Sequence, residues 1–208
     1  MKHTIFNGPP YSEPMGLSTA LGLASSAGLN AYLPLLAYGL LARYTDFVTL
    51  PEGWMWLTDP ILLAIVGVLL VIELIADKIP AVDSVNDIIQ TVFRPTSGGL
   101  MFASVLDQDT ATSGSVFQDP KTWVAIGIGV AISLVMHVVK STSRPVVNAS
   151  TVGVGAPVVS LGENVVAASL TGAALFAPAL VLIILALFLL GAWWFVSKLR
   201  RAFRRPAR

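Results

Sequence analysis

The chain has 208 residues, of which 55% are hydrophobic and only 12% charged, and its mean hydropathy is +0.76. Soluble domains carry roughly twice that charged fraction, about 25%, so a large soluble domain is excluded, and continuous apolar runs rather than short alternating strands argue against a β-barrel. The absence of cysteine excludes disulfides, thiol nucleophiles, thiolate zinc sites and iron–sulfur clusters, and His3 and His137 alone are too few for a His-rich metal site. The net charge of +1 hides a split: Lys198, Arg200, Arg201, Arg204, Arg205 and Arg208 all lie in the tail, leaving seven Lys/Arg against twelve Asp/Glu in residues 1–197.

In chain order, residues 1–14 form a polar, turn-rich segment without the basic, apolar and small-residue pattern of a cleaved signal peptide. A first span is predicted from Met15 to Leu41, a second from Asp59-Pro60 to Ile79, and a third over Ala81–Leu106, interrupted by "RPTSGG". A fourth runs from Thr122 to Val139, a small-residue segment from Val146 to Leu161, and a long last span from Val165 to Val196 with Pro178 inside it. Residues 15–197 thus read as one transmembrane helical domain, and 198–208 as a basic cytoplasmic tail behind Trp193 and Trp194. The expected fold is all-α, a polytopic transmembrane helical bundle with broken or re-entrant helices. Six crossings with both termini inside satisfy the charge bias; four full spans with two re-entrant segments is the competing arrangement.

Two internal echoes suggest a repeat. "ASSAGLNAYLPLL" (24–36) matches "ASLTGAALFAPAL" (168–180) on spans expected to run in opposite directions. "DPILLAIVGV…KIPAVDS" loosely matches "DPKTWVAIGIGV…SRPVVNAS" on spans expected to be parallel.

Chemistry concentrates in "IELIADKIPAVDSVND" (72–87). Glu73 and Asp77 share a helix face at i, i+4, Pro80 is expected to break or kink the helix, and Asp83 and Asp87 form a second such pair, near Asn86 and Gln90. Carboxylates at membrane depth cost a few kcal/mol each unless paired, protonated or wetted, so these four are read as a cation or proton site. "NASTVGVGAPVVSLGEN" (148–164) is the expected partner: Gly153, Gly155 and Pro157 can expose backbone, while Asn148, Ser150, Thr151, Ser160, Glu163 and Asn164 supply oxygen ligands. Asn30 and Tyr32 lie mid-span beside Pro34. Lys78, Arg94, Lys140 and Arg144 would gather near the cytoplasmic interface, where they could hold a lipid phosphate, and His137, one turn from Lys140, reads as interfacial rather than as a proton relay.

The segments "AGLNAYLPLLAYGLLAR", "ELIADKIPAVDSVND", "RPTSGGLMFAS" and "NASTVGVGAPVVSLGEN" resemble, in this order and over about residues 15–185, an uncharacterised bacterial membrane family, domain of unknown function 4126. The resemblance implies several transmembrane helices and no defined activity. In that pattern a second acidic residue often follows the glutamate of the last motif; Asn164 stands there in this chain, so paired carboxylates are not expected at that point.

The expected function is a small integral-membrane transporter or channel with an acidic intramembrane site for a cation or a proton-coupled solute. The alternatives are a flippase or scramblase for phosphate-headed lipids and a non-transporting subunit of a membrane complex. No nucleophile–base or metal-ligand pattern indicates an enzyme, and no cofactor is expected. Gly98-Gly99 lacks the strand context of a phosphate loop. The expected partners are membrane lipids and a monovalent or divalent cation, with no nucleic acid, in a homo-oligomer or a larger complex, in the bacterial cytoplasmic membrane.

Overall fold

A computed structural model describes residues 13–107, 116–151 and 154–203, and every regular element among them is helical. Seven α-helices occur: α1 (Glu13–Leu29), α2 (Tyr32–Tyr44), α3 (Pro60–Ala76), α4 (Pro80–Leu106), α5 (Pro120–Thr151), α6 (Ala156–Phe176) and α7 (Val181–Phe203), with short 3-10 helices at Glu52–Thr58, Val116–Gln118 and Pro178–Leu180.

Local chemistry sets several of these boundaries. The Asp59 carboxylate accepts from the N–H groups of Ile61 and Leu62 at 2.8 and 3.0 Å, with Pro60 in the first helical position; this is an N-cap followed by the residue that needs no donor. Asp119-Pro120 repeats the device at α5, where Asp119 accepts from Lys121 N–H at 2.9 Å. At the other end of α3, Ile79 takes an extended conformation, φ −110° and ψ 107°, as a residue before proline prefers. Pro80 therefore opens α4 instead of kinking one long helix.

The first expected span is corrected: it is not one crossing. Helix α1 stops at Leu29, and α2 turns back. Contacts with α6 fix the directions, because Thr19 meets Ala174, Ser26 meets Ala167 and Thr171, and Asn30 meets Asn164. These pairings make α1 and α6 antiparallel. Yet Phe47, just beyond α2, stacks at 5.1 Å on Phe176, the last residue of α6. So α2 returns to the end of the bundle from which α1 set out, and the two form a hairpin whose tip is Leu29–Tyr32. Small residues on α1 and Asn30 at its end allow this turn inside the bundle, where the freed backbone groups find partners.

Helices α3, α4, α5 and α6 each run from one end of the bundle to the other. "RPTSGG" does not interrupt α4: the helix continues through Pro95. Its glycines instead let α5 approach. A Cβ on Gly98 would collide with the Ser133 side chain, one on Gly129 with the Gly98 carbonyl, and one on Gly28 with Ser133 and Met136. This is backbone-to-backbone packing of α1, α4 and α5 through small residues, which holds helices together where the surroundings are as apolar as the core. The segment 146–161 is also corrected: α5 extends to Thr151 and α6 starts at Ala156, so the chain turns there without crossing. The expected long last span is divided, because the helix ends at Phe176 before Pro178 and resumes as α7. Helix α7 then continues to Phe203, through the first part of the basic tail.

The first echo coincides with this geometry. Its two copies lie antiparallel against each other, and each helix ends two to five residues before its proline, at Leu29 ahead of Pro34 and at Phe176 ahead of Pro178. In the second echo both Asp-Pro pairs start helices that run toward the same end, after which the copies differ: α3 gives way to α4 at Pro80, whereas α5 continues through Pro145.

The bundle is apolar outside. Ile61, Ile65, Val68, Ile72 and Ile75 make one exposed stripe on α3, and Leu182, Leu187 and Leu190 lie exposed on α7. Pro120–Pro145 and Ala156–Phe176 are long and apolar enough to cross a membrane, and Glu52–Thr58 with Pro60–Ala76, bent by 53°, makes a third candidate. At the end bearing the loops, Trp54 is fully buried, donates its indole N–H to Asp107 at 3.0 Å, and meets Trp56 and Phe117. At the opposite end lie the hairpin tip and nearly all the buried charge.

Candidate functional site

Five segments converge on that end: the tip of α1–α2, the last turn of α3 with Asp77 after it, α4 from Asn86 to Ser97, α5 from Ser133 to Arg144, and α6 from Ser160 to Asn164. On α4, Asp87, Gln90, Thr91 and Arg94 follow the i, i+3, i+4, i+7 spacing of one helix face. On α5, His137, Lys140, Ser141 and Arg144 do the same. Since α4 and α5 are antiparallel, these two polar faces meet.

Arg94 is completely buried and has three partners. Its Nη2 donates to Glu73 Oε1 at 3.0 Å, and its Nη1 to Asp87 Oδ1 at 3.2 Å and to His137 Nδ1 at 2.9 Å. Lys140, 1% exposed, donates to Asp77 Oδ2 at 2.8 Å and to the Leu29 carbonyl at 3.0 Å. Arg144 reaches Glu163 Oε2 at 2.6 Å and Asp77 Oδ2 at 3.3 Å. Asn86 donates to the other Asp77 oxygen at 3.3 Å. Among the described side chains, four carboxylates, Glu73, Asp77, Asp87 and Glu163, thus face three cations, Arg94, Lys140 and Arg144.

The hairpin tip is stitched into this network. A helix end leaves carbonyls and N–H groups without intrahelical partners, and inside a bundle each must be satisfied. Lys140 takes the Leu29 carbonyl, Ser97 donates to the Ala31 carbonyl at 2.6 Å, and Asn30 Oδ1 accepts from Tyr32 and Leu33 N–H at 3.2 and 3.0 Å. Asn30 also donates to Asn164 Oδ1 at 3.3 Å. One lysine therefore joins a broken helix to a buried carboxylate.

The sequence-derived candidates divide accordingly. Glu73, Asp77, Asp87, Asn30, Glu163 and Asn164 come together, and all but Asp87 are buried. Glu73 and Asp77 do not act as a bare acidic pair: each faces its own cation, Arg94 for one and Lys140 with Arg144 for the other. Thr151 stays outside, exposed, with its hydroxyl donating to the Val147 carbonyl and accepting from Gly155 N–H. The side chains of Asp83, Asn148 and Ser150 lie outside the described residues. Of the basic quartet, Arg94, Lys140 and Arg144 belong to the network, whereas Lys78, in the turn after α3, is exposed and its side chain donates to the Leu74 carbonyl of α3 at 2.7 Å. His137 is buried at 5% exposure, because its helix face turns toward α4. Sequence reasoning also passed over Thr91, Ser97 and Ser133, whose signal was their place on the two polar faces.

Five buried side-chain atoms have no hydrogen-bond partner among the described residues: Glu73 Oε2, Gln90 Oε1, Arg94 Nε, Ser160 Oγ and Asn164 Nδ2. All five belong to residues in or beside the network. No group of three or more His, Asp or Glu is arranged to hold a metal ion among the described residues.

Compared with known proteins, residues 17–198 match the model of a family described as a domain of unknown function, number 4126. No curated protein and no solved structure matches the chain.

Proposed function

We propose, for a chain that belongs to the family of the domain of unknown function 4126, that it is a multi-pass membrane protein moving a small solute in exchange or symport with protons. The observation that carries this reading is Glu73. It is 1% exposed, sits opposite Arg94, and keeps one carboxylate oxygen without a partner. A buried carboxylate in a bundle with an apolar exterior is expensive to keep charged, and Arg94 is what offsets that cost. Protonating Glu73 weakens its hold on Arg94 and loosens α3 from α4 beside the hairpin tip. A broken helix beside titratable groups, within an antiparallel echo, is an arrangement transporters use.

Between the two versions of the expected transporter, a proton-coupled solute is favoured over a bound cation, because the carboxylates are spent on Arg and Lys rather than gathered around one point. A lipid phosphate would have to displace those same carboxylates from Arg94, Lys140 and Arg144, so the lipid-handling reading is carried less far. We place the protein in the cytoplasmic membrane, with its basic C-terminal end on the cytoplasmic side by charge bias.

The test is flux into proteoliposomes under an imposed pH gradient, with a panel of small solutes and cations. Proton-linked uptake of one solute class, lost in Glu73→Gln, is expected. Movement of no member of the panel, together with cells indifferent to Glu73→Gln, would remove the reading.

A further inference from the structure

The ring of His137 is held in one tautomer by partners that leave no choice. An arginine side chain can only donate. Arg94 Nη1 lies 2.9 Å from His137 Nδ1, so Nδ1 must be the unprotonated acceptor. The ring proton is then on Nε2, which lies 3.1 Å from the Thr91 hydroxyl. Thr91 can accept it, because its own hydrogen goes to the Asp87 carbonyl at 2.9 Å. The run from Arg94 through His137 and Thr91 to Asp87 is complete in one direction only. Ser141 Oγ lies 3.5 Å from each ring nitrogen and does not decide the matter.

We propose that His137 is a proton-binding site of this network, and that a proton taken up on Nδ1 releases Arg94 from the α4–α5 side. The proton adds to the Nδ1 lone pair, the acceptor becomes an N–H, and that N–H points at the Nη1 hydrogens. One of the two cations must withdraw. The new imidazolium and Arg94 then compete for Asp87, whose side chain at 17% exposure is the most open carboxylate of the four and the entry point for the proton. The charged groups that act on the ring are Arg94 and Asp87 from α4 and Lys140 from α5 itself; behind them the network continues through Glu73 on α3, Asp77 just after it, Arg144 on α5 and Glu163 on α6, and the α1–α2 tip offers Asn30 and Tyr32. Arg94 is thus gripped from two sides, by Glu73 through Nη2 and by His137 through Nη1. The inference rests on the network being proton-linked, and it adds the group that senses the proton on the second side.

His3 and His137 are the only histidines, so His3→Gln leaves one ring to observe. In the full-length His3→Gln protein with 15N-labelled histidine and arginine in lipid, the ring nitrogen shifts at alkaline pH should report a neutral ring with the proton on Nε2. Arg94→Met and Thr91→Val should each relax this into a mixture of tautomers. On acidification below the ordinary imidazole range, both ring nitrogens should become protonated, and the Arg94 Nη signals should move in the same step. A ring with the proton on Nδ1, a ring still neutral at the lowest pH, or a ring that titrates without moving Arg94 overturns the proposal. The readout needs no transport. A silent flux assay with this ring behaviour removes the transport reading alone, and proton-linked flux with an unresponsive ring removes only this site.

Discussion

Replacing Arg94 by methionine keeps an unbranched apolar stem and removes the charge and the donors. The loss is unequal among the three partners. The Asp87 side chain, 17% exposed, can rehydrate, and His137 is neutral, so neither suffers much. The Glu73 side chain is 0% exposed and would be left as an uncompensated buried carboxylate. Removing one partner of a buried ion pair costs about 3–5 kcal/mol, and nearly all of it falls on Glu73. For a chain of this size about 1 kcal/mol moves the thermal midpoint by ~2–4 °C, so a drop of roughly 6–20 °C is expected. Replacing both residues by methionine removes the stranded charge along with the pair, and such double replacements are often neutral or stabilising. Arg94→Met with Glu73→Met should therefore recover most of the loss, leaving the double variant within about 2 kcal/mol of the parent. Thermal unfolding of the purified protein in detergent, followed by its five tryptophans, gives the full cycle. A single variant within about 1 kcal/mol of the parent, or a double variant no more stable than Arg94→Met, would refute the claim that Arg94 exists to hold a buried charge.

Gly98→Val forces a side chain into Ser133 across the α4–α5 contact and should cost about 1–3 kcal/mol or more, whereas Gly172→Ala, with open space around it, should be neutral or gain about 0.5–1 kcal/mol; midpoints from the same unfolding assay separate the two. Asn30→Ala removes the acceptor for Tyr32 and Leu33 N–H and should cost about 1–2 kcal/mol, as the loss of a helix cap does. Lys78→Ala, at an exposed turn residue whose side chain bonds the Leu74 carbonyl of α3, should stay within about 0.5 kcal/mol of the parent. Because the chain has no cysteine, single cysteines report sidedness: Leu17→Cys and Asp46→Cys should react with an impermeant thiol reagent from one face of a vesicle and Lys78→Cys from the other. Labelling of Leu17→Cys and Asp46→Cys from opposite faces would contradict the α1–α2 hairpin.

Much of the fold could be read from the residues because helices announce themselves through apolar runs and caps. Asp59-Pro60 and Asp119-Pro120 start helices where their chemistry requires, and Pro80 marks a real boundary. What was not legible is direction. "ASSAGLNAYLPLL" has the length and hydropathy of half a crossing, and nothing in it distinguishes a helix that continues from one that turns back at Asn30; that depends on Lys140 and Ser97, which come 110 and 67 residues later in the chain. The same holds for the charges. Spacing along α3 pairs Glu73 with Asp77, and only the packing of α4 and α5 against it shows that each carboxylate has its own cation. The polar faces 87–94 and 137–144 were visible as periodicity, and read together they would have brought His137 into the site.

The two ends of the bundle are fastened by unlike materials. Around Trp54 the fastening is aromatic, with one indole hydrogen bond to Asp107; around Arg94 and Lys140 it is ionic. Apolar contacts weaken on cooling and under chaotropes, while paired carboxylates answer to acid. Chilling the protein loosens the tryptophan end and leaves the charges clasped, and acidifying it does the reverse. An experimenter thus holds two separate handles on one small molecule, temperature for one end and pH for the other.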